Sequence, residues 1–247
     1  MKSIFIFAFL FSLFCLYGSQ PRKTGIIHVF VALCDNKYQG IVPVPSKLGN
    51  GDDPANNLYW GAMYGLKTFL KNSKKWKLTA SRKMKLPILE RSVFKHVSGD
   101  IFIIADAYRG KNIKRAVSDF FRAASGKTKY SSPIENSPLI VYIGHDALMD
   151  FSLKSYPRKE ARNKRNVVIL ACQSKKYFHS GIKKSGAYPL VWTTNFMAPE
   201  AYILEAVLEG WIKNEISSKI LLRAAKAYSK YQKCSLKAAQ RLFVSGF

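Results

Sequence analysis

Short, continuous apolar runs alternate along the chain with segments in which apolar side chains recur at helical spacing. Five of these runs are short, largely apolar and bounded by polar or turn-forming residues. They are GIIHVFVAL at 25–33, DIFIIADA at 100–107, PLIVYIG at 138–144, NVVILA at 166–171 and YPLVWTT at 188–194. Strands without polar alternation are typical of a parallel sheet that is buried on both faces. The five runs therefore predict the core strands of such a sheet.

Helical spacing of apolar residues predicts the elements that cover this sheet. The predicted helices span 56–70, 113–124, 174–184, 199–211, 217–231 and 235–243. A short strand is predicted at 76–80, and the Asn-, Asp-, Gly- and Pro-rich segment 34–54 is predicted to be a long loop. The order of strands and helices predicts one α/β domain over residues 20–247, a three-layer sandwich with an open, mostly parallel central sheet.

The first residues have the features of a targeting segment. Lys2 supplies a positive charge, residues 4–16 form an uncharged apolar run of 13 residues, and polar residues follow. A helix that spans a bilayer needs about 20 apolar residues, so this run fits a signal peptide better. We expect a signal peptide at 1–19 and an exported protein, either periplasmic or secreted, without a membrane span after cleavage. A retained N-terminal anchor and a lipoprotein modified at Cys15 are the alternatives.

The remaining cysteines are Cys34, Cys172 and Cys234. Because three is an odd number, at least one thiol stays unpaired within the chain. No Cys or His spacing matches a zinc site, and acidic residues are too few for a calcium cage. No metal and no cofactor is therefore expected.

The charge balance is strongly basic. The chain has 40 Lys and Arg against 15 Asp and Glu, a formal net charge of +25. Such a charge favours contact with anionic surfaces, and export makes anionic envelope polymers the candidate partner. No nucleic-acid-binding signature is present, and LGNGDDP does not have the spacing of a phosphate-binding loop, so neither nucleic acid nor a nucleotide is expected.

In an open α/β sheet, functional sites lie beyond the carboxyl ends of the strands. Each predicted strand delivers a polar or reactive residue to this edge. The residues are Cys34-Asp35-Asn36, Asp106 to Arg109, Gly144-His145-Asp146, Cys172-Gln173-Ser174 and Thr193-Thr194-Asn195. This edge is therefore where the sequence predicts a site.

His145 and Cys172 are the strongest candidates for chemistry. They follow consecutive predicted strands and are 27 residues apart, which is enough for a connection and the next strand. A thiol becomes a good nucleophile when a nearby imidazole takes its proton, and N–H groups at the start of the next helix can stabilise an oxyanion. The pair predicts a Cys–His dyad for acyl transfer, with peptide hydrolysis as the expected reaction. The structural alternative is a buried Cys and His that only pack.

The segments VYIGHDALMD and VVILACQSKKYF resemble the His and Cys segments of the caspase-like peptidase clan, which includes caspases, metacaspases, gingipains, clostripain, legumain and CHAT domains. The resemblance implies a caspase-like fold and a peptide or protein substrate. It implies that His145 is the general base and Cys172 the nucleophile, with the N–H of Cys172 in the oxyanion hole.

Two positions depart from the clan pattern. The clan has Gly directly after the His, whereas here Asp146 follows and Gly144 precedes, and the metacaspase Asp before the Cys is Leu170 here. A catalytically inactive, caspase-like binding module for anionic envelope components is therefore the alternative function.

The remaining candidates concern the substrate. Asp35 and Asp106 are predicted to line a specificity pocket or to orient His145, although a carboxylate after a strand can equally cap the next helix. The resemblance assigns Trp192 and Thr194 to the substrate pocket, and Gly144 is assigned to substrate binding with them. An unrelated α/β hydrolase or transferase that uses Asp106 or Asp35 is a third alternative.

Overall fold

The computed structural model describes residues 20–127, 137–160, 162 and 164–247, so the predicted signal peptide at 1–19 lies outside the described residues. A single mixed sheet of eight strands has the order β2-β3-β4-β1-β5-β6-β7-β8. The strands are β1 (Thr24–Ala32), β2 (Trp76–Lys83), β3 (Ile88–His96), β4 (Asp100–Tyr108), β5 (Leu139–Ile143), β6 (Asn166–Leu170), β7 (Tyr188–Thr193) and β8 (Phe243–Val244).

The predicted α/β class is confirmed, and the prediction of a mostly parallel sheet holds only for its middle. The five strands β4-β1-β5-β6-β7 pair in parallel. Three antiparallel pairs, β2–β3, β3–β4 and β7–β8, lie at the two edges. Strand β3 was not predicted because Glu90, Arg91 and Lys95 interrupt its apolar pattern, as is usual for antiparallel strands.

Helices cover both faces of the sheet. They are α1 (Leu66–Asn72), α2 (Ile113–Ser125), α3 (Ser174–Ser185), α4 (Ala201–Ile212), α5 (Ser217–Gln232) and α6 (Leu236–Leu242). One core lies between the sheet and α1, α4, α5 and α6, and a second core lies between the sheet and α2 and α3. None of the helices in the described part of the chain is long and apolar enough to cross a membrane.

The helix predicted at 56–70 is shorter in the structure. Only Leu66–Asn72 is helical, and the residues before it form turns. The Asn57 side chain accepts a hydrogen bond from the Cys34 N–H at 3.0 Å and donates one to the Cys34 carbonyl at 2.8 Å. Side chains that bond to the backbone in this way compete with helix formation, and here they tie the loop to the end of β1.

Candidate active site

The sheet register brings His145 and Cys172 side by side. Ile143 at the end of β5 pairs with Leu170 at the end of β6 in a parallel register. His145 and Cys172 each follow these partners by two residues, and the Gly144 N–H extends the ladder by donating to the Leu170 carbonyl at 3.2 Å. Both reactive side chains therefore leave the same edge of the sheet from neighbouring strands.

A tight turn fixes the backbone directly after Cys172. Gln173 has a left-handed φ of 47°, which is uncommon for a residue with a side chain. The buried Ser174 hydroxyl donates to the Ile169 carbonyl at 3.1 Å, and the Ser174 N–H donates to Thr193 Oγ1 at 3.1 Å. The turn between β6 and α3 is thus held by contacts to β6 and to the end of β7.

The same contacts limit which N–H groups can face a substrate. The Gln173 N–H donates to the Asn195 carbonyl at 3.0 Å, and the Ser174 N–H is bonded to Thr193. The two N–H groups that open the turn into α3, where the sequence predicted oxyanion donors, are therefore occupied. The N–H of Cys172 makes no hydrogen bond to another of the described residues, so a substrate oxygen can bind to it.

The Cys172 thiol is half-buried and neutral in its resting state. Its sulfur accepts from the Met197 N–H at 3.4 Å and donates to the Met197 carbonyl at 3.5 Å. Burial raises the pKa of Cys172, and the nearby charge of Asp146 raises it further, although the hydrogen bond from Met197 opposes this. Among the described residues the thiol makes no hydrogen bond to His145, so the two groups are neighbours without forming an ion pair.

His145 is held by a carboxylate that the sequence did not single out. Its Nε2 lies 2.8 Å from Asp150 Oδ2, and the same oxygen accepts the Gly40 N–H at 3.0 Å. Because an ionised carboxylate can only accept, Nε2 carries the proton and the lone pair is on Nδ1. Tyr142 fixes the backbone by donating its hydroxyl to the His145 carbonyl at 2.8 Å. The ring is thus oriented as a base whose Nδ1 can accept a proton.

Asp146 occupies the position at which the resembling clan has Gly. Its Oδ1 accepts the Leu148 N–H at 3.0 Å and starts the 3₁₀ turn Ala147–Met149, which folds Asp150 back to His145. Its Oδ2 is buried without a hydrogen-bond partner among the described residues. Burial, together with the charge of Asp150, raises the pKa of Asp146 to about 7. The carboxyl therefore changes its charge near neutral pH beside the thiol.

The structure does not bring Asp106 to this site. Asp106 is fully buried against the α2 side of the sheet, where His28 Nε2 lies 2.9 Å from its Oδ2. Arg91 donates to both carboxylate oxygens at 2.5 and 2.7 Å. Burial alone would raise the pKa of Asp106, but the hydrogen bonds from Arg91 and His28 outweigh it and lower the pKa. A carboxylate with no exposed surface cannot reach a substrate, which disfavours the alternative built on Asp106.

Asp35 and Trp192 also make contacts away from His145 and Cys172. Asp35 is buried and accepts the N–H groups of Lys37 and Tyr38 at 3.0 and 3.3 Å, which shapes the loop after β1. Trp192 is fully buried on the α3 side of the sheet, with its ring 5.7 Å from the ring of Phe247. The contacts of Asp35 and Trp192 thus hold the fold together and involve neither His145 nor Cys172.

Gly144 has a conformation that a side chain would strain. Its φ is +148°, and a Cβ there would lie 2.9 Å from the Ala32 carbonyl oxygen. Its N–H is already bonded to Leu170, so it is not open to a substrate oxygen. Gly144 therefore allows the close approach of β1 and β5 beside the site.

Thr194 lines an open cavity of about 490 Å³ whose wall includes Asn195, the residue that accepts the Gln173 N–H. The other lining residues are Asn195, Phe196, Tyr228, Cys234, Ala238, Ala239, Arg241 and Leu242. The cavity wall at 194–196 leads directly into Met197, which contacts the Cys172 sulfur. Of the substrate-binding candidates, Thr194 is thus the one on the wall of this cavity.

The other thiols differ from Cys172. None of Cys34, Cys172 and Cys234 forms a disulfide. Cys34 is buried, and burial raises its pKa to about 11. Within the described residues, no group of three His, Cys, Asp or Glu side chains could hold a metal ion.

Comparison with known proteins identifies no relative of this chain. No protein-family model, curated protein or solved structure matches the chain. The function is therefore inferred from the geometry of the chain itself.

Asp150 is the functional candidate that sequence reasoning missed. It lies five residues after His145 in GHDALMD, and the only local signal is the cap-forming Asp146 that starts the intervening turn. A carboxylate spaced four or five residues after a strand-end His is a pattern worth testing in other sequences.

Proposed function

We propose that the protein is an exported cysteine hydrolase of caspase-like type that cleaves peptides or proteins. Cys172 is the nucleophile, His145 is the general base, and Asp150 is the positioning residue that orients the imidazole. The observation that carries this proposal is the β5–β6 register, since it sets His145 and Cys172 at equal distances beyond paired residues of neighbouring strands.

The chemistry follows from the protonation states. His145 Nδ1 takes the proton of the neutral Cys172 thiol as the sulfur attacks the substrate carbonyl carbon and forms a C–S bond. The carbonyl electrons move to the oxygen, and the oxyanion then collapses and expels the amine, which takes the proton from His145. A water molecule, deprotonated by His145, then hydrolyses the thioester and releases the thiol.

Two features support the substrate side of this proposal. The Cys172 N–H would donate to the oxyanion, because the N–H groups of Gln173 and Ser174 are occupied. The cavity lined by Thr194 would hold a substrate side chain, since its wall joins the residue that contacts the thiol.

The test is alkylation of each thiol by iodoacetamide from about pH 5 to 9, in the wild type and in His145→Ala. We expect Cys172 to react faster than Cys34 and Cys234 near neutral pH, and to slow by about tenfold or more in His145→Ala. Cys34 is the internal control, because its thiol is buried and its pKa is about 11. Equal rates for Cys172 in both proteins would refute the dyad.

Hydrolysis itself is tested with a peptide library analysed by mass spectrometry. Cleavage is expected in the wild type and is lost in Cys172→Ala, which removes only the sulfur. If cleavage persists in Cys172→Ala, a different catalytic group is responsible. If neither protein cleaves any peptide and Cys172 is unreactive, the alternative of a non-catalytic module that binds anionic envelope components takes its place.

A further inference from the structure

A strongly basic surface lies on the side of the sheet away from the Thr194 cavity. It consists of α2 with Lys127, the segment 151–164, and α3, and we call it the cationic face. Its described residues hold thirteen Lys and Arg side chains against two carboxylates, Asp119 and Glu160. The cations are Lys114, Arg115, Arg122, Lys127, Lys154, Arg158, Lys159, Arg162, Lys164, Lys175, Lys176, Lys183 and Lys184.

The three parts of the cationic face form one continuous surface. The rings of Phe121 on α2 and Phe178 on α3 stack 5.5 Å apart. Tyr156 packs its ring 4.8 Å from that of Phe121, and the Glu160 N–H donates to the Ser125 carbonyl at 2.7 Å. Tyr156 also lies beside Gly181 of α3, so the described residues of 151–164 pack against both helices and add their cations to those of the helices.

Both carboxylates of the cationic face are already in ion pairs. Asp119 lies 2.8 Å from Arg115 and 3.9 Å from Arg122, and Glu160 lies 2.9 Å from Lys127. Several lysines instead place their ammonium groups over aromatic rings, such as Lys164 over Tyr188 at 4.4 Å and Lys114 over Phe151 at 5.3 Å. The face therefore keeps a large excess of positive charge.

The opposite side of the molecule, residues 66–75 and 200–242, holds twelve Lys and Arg but more carboxylates than the cationic face. Four glutamates, Glu200, Glu205, Glu209 and Glu215, lie on α4 or at its ends. Glu215 pairs with Arg223 of α5 at 2.6 Å, and Glu209 pairs with Lys75 at 3.4 Å. The cationic face, with thirteen cations against two carboxylates, thus has a higher net charge than the opposite side, with twelve cations against four carboxylates.

We propose that the cationic face binds a soluble, linear phosphate polymer along the surface of α2, the segment 151–164 and α3. Cations seven residues apart on one helix, such as Lys176 and Lys183, are spaced by about 10 Å. This spacing is roughly one Debye length at physiological salt, so the two charges still repel each other. A polyanion that lies across both helices relieves this repulsion and releases its own counterions, which favours binding.

The surface fits this ligand better than a bilayer or a single-stranded nucleic acid. Interfacial membrane binding combines basic side chains with several exposed apolar ones, whereas the exposed large apolar side chain in contact with the described part of this face is Phe247, beside His179 of α3. Sequence-tolerant binding of single strands uses exposed aromatic rings as stacking platforms. Here Tyr156 is half-buried against Phe121, and Tyr177 lies beside the ammonium of Lys176.

The test measures binding of fluorescein-labelled inorganic polyphosphate, about 100 units long, by anisotropy between about 50 and 300 mM NaCl. The first variant carries Arg158→Gln, Lys176→Gln and Lys183→Gln. The matched control carries Lys219→Gln, Lys226→Gln and Lys237→Gln. These three exposed cations lie on α5 and α6, on the opposite side of the sheet. Both variants lose the same net charge, so their difference reports location alone.

We expect the first variant to lose at least tenfold in affinity, and its slope of log K against log salt to fall by about 2, since each lost contact removes about 0.7. The control is expected to lose less than about threefold. Thermal unfolding followed by circular dichroism checks that both variants are folded. All measurements are repeated in Cys172→Ala, so failure of the hydrolase proposal leaves this test unchanged.

Three results would overturn the proposal. Equal losses in the two variants would mean that net charge alone drives binding. Competition by orthophosphate at millimolar concentration would indicate a discrete anion site. Binding to vesicles that contain phosphatidylserine, without binding to polyphosphate, would make the partner a membrane surface.

Discussion

Two His–Asp pairs of nearly equal length lie in this sheet and have different surroundings. His28 and Asp106 are 2.9 Å apart, and His145 and Asp150 are 2.8 Å apart. The first pair has no exposed side-chain surface and lies within β1 and β4, where Arg91 adds two further hydrogen bonds. The second pair lies beyond the end of β5, and the side chain of Asp150 is 31% exposed.

The difference shows that a His–carboxylate distance does not by itself make a site. At Asp106 the third partner is a guanidinium that is always charged, so the cluster stays fixed and neutralised inside the protein. At Asp150 the third partner is the Gly40 N–H, and the neighbour of His145 is a thiol at the open edge of the sheet. The first pair is enclosed in the fold, whereas the second lies at the edge of the sheet, where the proposed function needs a base.

The largest expected effect comes from breaking the buried pair. Asp106→Asn leaves Arg91 facing a neutral amide, and removal of one partner from a buried ion pair costs about 3–5 kcal/mol. Urea unfolding followed by circular dichroism measures this loss. The control is Asp100→Asn on the same strand, which breaks an exposed pair with Lys95 and is expected to cost under about 1 kcal/mol. Similar losses in the two variants would contradict the structural role of Asp106.

The next effect is a pH dependence at Asp146. Its pKa is about 7 in the folded protein and near 3.8, the ordinary value for an aspartate, when unfolded. Between these values the folded state binds more protons, so stability falls as pH rises from about 4 to 7, by up to about 4 kcal/mol. Asp146→Asn is expected to remove this contribution.

The measurement for Asp146 is the difference in free energy of unfolding between about pH 5 and pH 8. The wild type is expected to lose stability relative to Asp146→Asn as the pH increases. Parallel pH profiles for the two proteins would mean that Asp146 does not titrate in this range.

A smaller effect on a different property is expected from Asp150→Asn. An amide can present either a donor or an acceptor to Nε2, so the tautomer with a free Nδ1 is no longer enforced. Alkylation of Cys172 near neutral pH is expected to slow by about tenfold, and Asp150→Glu is expected to restore part of the rate. A purely structural role for Asp150 would leave the pH profile of alkylation unchanged.

The smallest expected effect is that of Asp150→Asn on stability. Because this pair is partly exposed to water, its loss is expected to change the free energy of unfolding by less than about 1 kcal/mol. Urea unfolding of the same preparation used for alkylation provides the value. A loss as large as that of Asp106→Asn would remove the contrast between the two pairs.

Much of the fold could be predicted from local patterns. The five apolar runs became β1, β4, β5, β6 and β7, because burial on both faces leaves a continuous apolar signature. The antiparallel strands β3 and β8 could not be recognised. Charged residues interrupt β3, and β8 has only two residues, Phe243 and Val244, at the end of a helical pattern.

The candidate site was predictable in part for the same reason. His145 and Cys172 lie two residues beyond the ends of β5 and β6. The local apolar pattern of these strands was therefore enough to place both residues at the edge of the sheet. Asp106 also follows an apolar run, but strand β4 continues to Tyr108 and turns the side chain toward the buried side of the sheet. A shift of two residues in a strand end is beyond what a sequence pattern resolves, and here it separates a site residue from a core residue.

The sequence by itself determined the alternation of strands and helices, the reactive residues at the strand ends, and the excess of positive charge. These depend on neighbouring residues and on composition. Only the tertiary structure decided which carboxylate contacts which histidine, since Asp106 and His28 are 78 residues apart in the sequence. It also decided that α2, α3 and the segment between β5 and β6 bring their cations onto one surface, because Phe121 and Phe178 stack only when distant segments pack together.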